Sequence, residues 1–294
     1  MRRPDNFKAQ RGFLTFAQNN SETDYLNLAY AQALSIKCTQ KEVTLCAVAV
    51  DAPTKALMTD KHREVFDYVV DIKDDHASHD EWKLRNEWQA WWLTPFKETI
   101  KVEADILFPC SIDHWWAGLS QKEITLTSSI RDYEGNVSSC RAYRKLFDEN
   151  LLPNVYNGLM YFRYGRESMN FFVYARYVFE NWEQFKCNLL KHCHDEQPTT
   201  DVVFAIAAEM VGIENCTNPA LSYPTFAHMK GAIQGWGMNT DWTEKLIAEI
   251  DDQLHITAGL TKQEVPFHYY QKKFVTKEIV EKYEKAYNER RVYS

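Results

Sequence analysis

Along the first hundred residues, short continuous apolar runs alternate with segments whose apolar positions follow helical spacing. Residues 13–17 are such a run, bounded by Gly12 and by Gln18-Asn19-Asn20, which predicts a strand ending in a polar loop. Over 24–37 the residues Tyr25, Leu28, Ala29, Ala33 and Ile36 fall at helical intervals, and Ser21, Thr23 or Asp24 can cap the helix they predict. Residues 43–50 form a run closed by Asp51-Ala52-Pro53, as a buried parallel strand would be. Further strands are predicted at 66–72 and 99–108, with helices over 54–65 and 81–94. Strands alternating with helices imply a parallel sheet with crossover connections, an α/β fold. The second half is less regular. Strands are predicted at 124–128 and 155–163, helices at 169–191 and 200–211, and a loop-rich stretch at 219–237. A last amphipathic helix at 277–290 carries Ile279, Val280, Tyr283 and Tyr287 on one face. The pattern divides into a main domain over 1–255 and a C-terminal segment with its helix over 256–294, packing on that domain.

One place in this pattern is chemically unusual. Lys101-Val102-Glu103-Ala104-Asp105-Ile106-Leu107-Phe108 sets two carboxylates one residue apart within an apolar run. Burying a carboxylate there is costly unless something pairs with it. On an extended segment Glu103 and Asp105 project to the same side, so their oxygens can converge on one hard cation. Mg²⁺ and Mn²⁺ prefer such ligands and commonly share them with substrate phosphates. The pair and the loop at 18–20 both fall at the carboxyl ends of predicted strands, where open α/β sheets bind their ligands.

Composition narrows the partners. Nine Trp, sixteen Tyr and sixteen Phe among 294 residues supply a large core and exclude a disordered chain. A net charge of −7 excludes a global basic field for nucleic acid, so such a partner needs a local patch. Seven cysteines at scattered positions point to free thiols in a reducing compartment, and no Cys-x-x-Cys pair accompanies Cys187 and Cys193 to make a zinc site. The start, Met1-Arg2-Arg3-Pro4-Asp5, has no apolar leader core, and no run of about 18 apolar residues exists to span a membrane. The expectation is a soluble cytoplasmic protein with no membrane partner.

Several blocks, in order, resemble the glycogenin-like family of GT-A glycosyltransferases. Gln18-Asn19 followed by Tyr25 resembles the segment that holds the donor's base, with the tyrosine stacking on it. Leu93-Thr94 precedes the acid-x-acid as in the family, while the usual Lys-Leu lies further away, as Lys83-Leu84. Asn157-Gly158 resembles a block lining the sugar site, and Asp201 an acid facing the donor sugar. His228-Met229-Lys230-Gly231-Ala232-Ile233-Gln234-Gly235-Trp236 resembles the family's His-x-x-Gly-x-x-Lys-Pro-Trp loop, whose histidine is a metal ligand. The resemblance therefore implies a GT-A sheet flanked by helices, and Mn²⁺ (or Mg²⁺) held by Glu103, Asp105 and His228. It also implies a nucleotide diphosphate-sugar, such as a UDP-sugar, bound near Gln18, Asn19, Tyr25, Lys83, Lys230 and Gly231, with Asp201 and Asn157 at the reacting centre. Two departures stand out. The motif opens with Glu, and Gln234-Gly235 replaces Lys-Pro, so Lys230 or Arg163 has to offset the diphosphate charge.

A closer resemblance is to glycosyltransferase-like proteins of T4-like tailed phages, carried by residues 12–37, 92–105, 112–116 and 155–163 and by Pro266-Phe267-His268-Tyr269-Tyr270. It implies transfer of a glucose- or arabinose-type sugar to hydroxymethylcytosine in phage DNA, protecting that DNA from host nucleases. From Lys262 onward eight Lys/Arg face five Asp/Glu, and with His268, Tyr269 and Tyr270 they make a segment able to track phosphates and stack bases, or simply to pack as a helix on the domain. Trp115 and Trp116 are either an acceptor platform or core. A protein or glycan acceptor, a nucleotidyltransferase and a non-catalytic nucleotide-sugar binder stay open as alternatives.

Overall fold

The computed structural model describes residues 7–293; the Met1-Arg2-Arg3-Pro4-Asp5 start lies outside them. Strands β1 (Ala9–Ala17), β2 (Cys46–Val50), β3 (Tyr68–Asp71) and β4 (Phe96–Val102) run parallel. Next come β5 (Ile106–Leu107), β6 (Ile124–Thr127), β7 (Tyr156–Arg163) and β8 (Ala227–His228), and then β9 (Ala248–Ile250), β10 (Ile256–Ala258), β11 (Thr261–Lys262) and β12 (Phe267–His268). The main sheet has the order β3-β2-β1-β4-β7-β6, with β7 antiparallel to both its neighbours. Chain order reverses between β1 and β4, and that is the crevice where a doubly wound sheet receives a ligand. Among the described residues no helix is long and apolar enough to cross a membrane.

The pleat sends alternate side chains to two cores. Phe13 and Val48 face the helix Tyr25–Thr39, against which the C-terminal helix Lys277–Tyr293 packs through Val280 and Tyr283. Leu14, Ala47 and Ala49 face the helices Arg166–Glu180 and Thr200–Val211 on the other side. Trp116 is core, edge-on to Phe13, and Trp115 stacks on Tyr223, so neither forms an open platform. All seven cysteines are free. The fold is the expected α/β arrangement of a mostly parallel sheet between helices, with the C-terminal helix added.

Four predicted elements are broken, the three helices among them where a polar side chain captures backbone. The helix expected over 54–65 is two short ones, Ala52–Ala56 and Asp60–Val65. Asp51 caps the first by accepting from Thr54 N at 2.9 Å, with Pro53 in its opening turn, and the break falls where His62 Nδ1 accepts from Thr59 N at 3.0 Å to start the second. The helix expected over 81–94 is a 3₁₀ stretch, Lys83–Gln89, followed by Ala90–Leu93, because buried Asn86 and Gln89 bond the preceding loop. The long helix over 169–191 stops at Glu180, where Asn181 Nδ2 donates to Tyr177 O, and resumes as Trp182–Asn188. The strand expected over 99–108 ends at Val102, and the chain turns before β5.

Candidate functional site

That last break shapes the site. Glu103 and Asp105 occupy a turn, not an extended strand, and Ile106 N closes it on Glu103 O at 3.2 Å. Three elements hold the turn. Glu103 N donates to Gly158 O of β7 at 2.9 Å, and Tyr269 N, just past β12, donates to Asp105 O at 3.2 Å. Gln32, buried in the helix Tyr25–Thr39, donates its amide to Glu103 O and to Ile106 O (3.1 Å), while its carbonyl meets the Thr15 hydroxyl of β1. The turn sits beside β1 at the reversal of strand order, so sheet topology and one buried amide together aim the carboxylates into the crevice.

There they meet a histidine from the far end of the chain. β12 pairs with β5 and β8, which brings His268 opposite both Ile106 and His228. His268 Nε2 lies 2.8 Å from Asp105 Oδ2 and 3.7 Å from Glu103 Oε2. One ligand atom from each of Glu103, Asp105 and His268 falls within 4.8 Å of the others, the one such cluster among the described residues. The His228 ring stacks on His268 with centroids 4.5 Å apart. Both histidines leave a buried Nδ1 without a hydrogen-bond partner, and an orphaned buried polar atom needs a partner from outside the chain. Two carboxylates, an imidazole and an adjoining orphan imidazole fit a divalent ion such as Mn²⁺. Lys272 also bonds Asp105 Oδ2.

The two carboxylates differ electrostatically. Burial lifts Glu103 to about 7, opposed by His268 and reinforced by Asp105 and Glu87. Burial would lift Asp105 too, but His268 and Lys272 outweigh it and hold the group well below the usual carboxylate range. Burial, then the neighbouring His268 and Lys230, press His228 well below the ordinary histidine value. The Lys230 ammonium is lowered by burial against the pull of Asp201.

Behind Glu103 lies a buried polar chain. Asn157 Nδ2 donates to Glu103 Oε1 at 3.0 Å and to Glu87 Oε2 at 2.6 Å; its Oδ1 accepts from Lys101 Nζ at 3.0 Å. Lys101 in turn pairs with Glu87 at 2.8 Å. Asn157 N donates to Asp201 Oδ1 at 2.7 Å, and Asp201 Oδ2 accepts from Arg144 Nη1 at 2.6 Å. Arg144 is fixed between the rings of Phe147 and Tyr156, 3.6 and 4.3 Å from their centroids. Asn157 thus donates both to the carboxylate turn and to Asp201, which is tied to the turn through it.

Two clefts meet at this cluster. The larger, about 820 Å³, runs from Gln18 and Tyr25 past Lys83 to Glu103, Asp105, His268 and Lys272. The smaller, about 260 Å³, is lined by Tyr143, Arg144, Asp201, His228 and Lys230, and shares Glu103, His268, Leu84 and Tyr270 with the first. Gln18, Tyr25 and Lys83 therefore line the larger cleft; Asp201, His228 and Lys230 line the smaller. Asn19 lines neither: its side chain accepts from Leu26 N and donates to Asp24, starting the helix. Gly231 shapes the loop after β8, where a Cβ would lie 2.7 Å from Gly237 O and 2.8 Å from Thr240 O. Arg163 pairs in register with Glu98, at the end of β4 opposite the acid turn, and so cannot serve a diphosphate there. His268 and Lys272 were legible only as part of a basic, aromatic segment. The signal for Gln32 was a polar residue at the helical interval between Leu28 and Ile36.

No protein-family model matches the chain, and no curated protein matches it in sequence. Its fold is shared with solved glycosyltransferases. It superposes on the galactosyltransferase LgtC, solved with donor and acceptor sugar analogues, with a TM-score of 0.54 at 10% identity over 95% of each chain. It superposes on the glycosyltransferase GlyE of Streptococcus pneumoniae with a TM-score of 0.52 at 6% identity, over 95% of this chain and 60% of that one. A weaker match, to the bifunctional glycosyltransferase WbbM, has a TM-score of 0.47 at 11% identity and covers 81% of this chain; the chain spans 43% of that protein.

Proposed function

We propose that this protein is a metal-dependent glycosyltransferase that moves a sugar from a nucleotide diphosphate-sugar to a hydroxyl acceptor. The observation that carries the reading is the cluster of Glu103, Asp105 and His268 at the strand-order reversal, opening on a cleft large enough for a nucleotide-sugar. A divalent ion held there would supply Lewis-acid neutralisation of the leaving diphosphate. Glu103, Asp105 and His268 would hold it, with the His228 ring stacked behind His268. Tyr25 and Gln18 line the arm of the cleft suited to the base, and Lys83 borders it. Asp201, locked by Arg144, presents a fixed carboxylate toward the smaller cleft, where the sugar and acceptor would meet, while Asn157, buried behind it, positions Glu103 and Asp201. Lys230 supplies a positive charge on that side. Gly231 lets its loop close tightly enough to place that lysine. Residues 1–255 form the transferase body in this reading, and 256–294 completes its site.

For the acceptor we favour hydroxymethylcytosine in phage DNA within the host cytoplasm, on the phage-protein resemblance of the sequence. Within the C-terminal basic segment Lys272 pairs with Asp105, Lys273 with Asp241 at 2.5 Å, and Arg291 with Glu64 at 3.4 Å. In this reading DNA presents its base at the smaller cleft, beside Asp201 and Lys230. The test is release of nucleoside diphosphate from a panel of UDP-sugars with Mn²⁺, with and without hydroxymethylcytosine DNA. Release that rises with modified DNA supports both donor and acceptor. Release indifferent to DNA keeps the transferase and moves the acceptor to a protein or glycan. Pyrophosphate release instead marks a nucleotidyltransferase.

A further inference from the structure

Among the described residues, Lys272 is the one cation bonded to the carboxylate cluster that the proposed transfer leaves unassigned. Its ammonium bonds Asp105 Oδ2, the same oxygen that His268 Nε2 approaches at 2.8 Å. A divalent ion drawn to that carboxylate competes with the ammonium for it and repels the ammonium. Of that oxygen's two neighbours, His268 is buried, pinned in β12 between β5 and β8, and stacked on His228. Lys272 is different: its side chain is 33% exposed, lines the larger cleft, and stands 5.7 Å from the Tyr270 ring on a flexible four-carbon stem. Lys272 is the group able to withdraw.

We propose that Lys272 is an exchange cation, resting on Asp105 while the site lacks metal, yielding that oxygen to the divalent ion, and then facing the donor's diphosphate across the cleft. The proposal rests on the donor reading above. Its consequence follows from charge. Two carboxylates against one ammonium leave a deficit of one charge. A divalent ion alone overshoots that deficit, and a diphosphate with about two negative charges restores it. Lys272 thus opposes metal alone and favours metal together with diphosphate, which couples the two ligands and makes the site load them as a pair.

The test compares the full-length wild-type chain with K272Q and K272M. Mn²⁺ binding is followed by electron paramagnetic resonance. UDP, and inorganic pyrophosphate as a probe indifferent to the base, are titrated calorimetrically at saturating Mn²⁺. Both variants are expected to bind Mn²⁺ alone about tenfold more tightly than wild type, and the two diphosphates about tenfold more weakly, within the usual range of coupling between sites. Variants that lose affinity for both, gain it for both, or change neither overturn the exchange and leave the donor reading standing. Wild-type protein that binds neither Mn²⁺ nor any diphosphate removes both.

Discussion

Replacing Lys101 by methionine tests whether the polar chain behind Glu103 is a structural unit. Lys101 is 1% exposed, and its ammonium is 2.8 Å from Glu87, itself 5% exposed, and 3.0 Å from Asn157 Oδ1. The substitution keeps the apolar stem but leaves Glu87 without its cation and Asn157 Oδ1 without its donor. Removing one partner of a buried pair costs about 3–5 kcal/mol. For a chain of this size that lowers the melting temperature by on the order of 10 °C. The double variant K101M/E87Q removes both charges and keeps an amide oxygen for Asn157 Nδ2, so it should recover about half of the loss. Urea unfolding of wild type, the two single variants and the double variant closes the cycle. A single K101M that costs under about 1 kcal/mol, or a double variant equal to the sum of the singles, would show that the pair is not coupled and that Asn157 is positioned by other means.

Three further outcomes are expected. Gln32→Leu strips the donors from Glu103 O and Ile106 O; it should cost about 1–3 kcal/mol in unfolding and weaken Mn²⁺ binding, and unchanged Mn²⁺ affinity would show that the backbone bonds to Gly158 and Tyr269 hold the turn without it. Because burial raises Glu103 from 4.5 to about 7, its folded form binds a proton more readily than the unfolded chain. The resulting stability in metal-free protein is complete below 4.5 and lost as pH rises through about 7, while Mn²⁺ affinity climbs over the same window; unfolding and Mn²⁺ titrations on either side of pH 7 check both signs. Gly231→Ala drives a Cβ against two backbone carbonyls, which should cost about 1–3 kcal/mol and weaken nucleotide-sugar binding by moving Lys230; wild-type binding would place Lys230 outside the donor site.

The sheet was legible because its strands are buried on both faces and read as continuous apolar runs, as at 13–17 and 43–50. Errors cluster at helix ends and interruptions. Apolar spacing alone carries the stripe through 54–65 and 169–191, but His62 and Asn181 bond the backbone locally, at Thr59 N and Tyr177 O, and break it. Such competition depends on which carbonyl or amide lies within reach, and that is set by neighbours the local pattern does not contain.

The site divides along the same line. Glu103 and Asp105 were legible because a buried carboxylate announces a compensating charge, but the identity of that charge is a matter of topology. His268 and Lys272 lie more than 160 residues downstream of them, in a stretch whose composition equally suits a nucleic-acid surface. Only the insertion of β12 between β5 and β8 turns that stretch inward. The same insertion stacks His268 on His228, so the histidine singled out by motif and the one supplied by the fold lie side by side, with only His268 in the carboxylate cluster. Two single substitutions tell them apart: if His268 is the ligand and His228 its backing, H268A should abolish Mn²⁺ binding while H228F, which keeps a stacking ring, should spare it. Retention in H268A with loss in H228F would reverse the assignment.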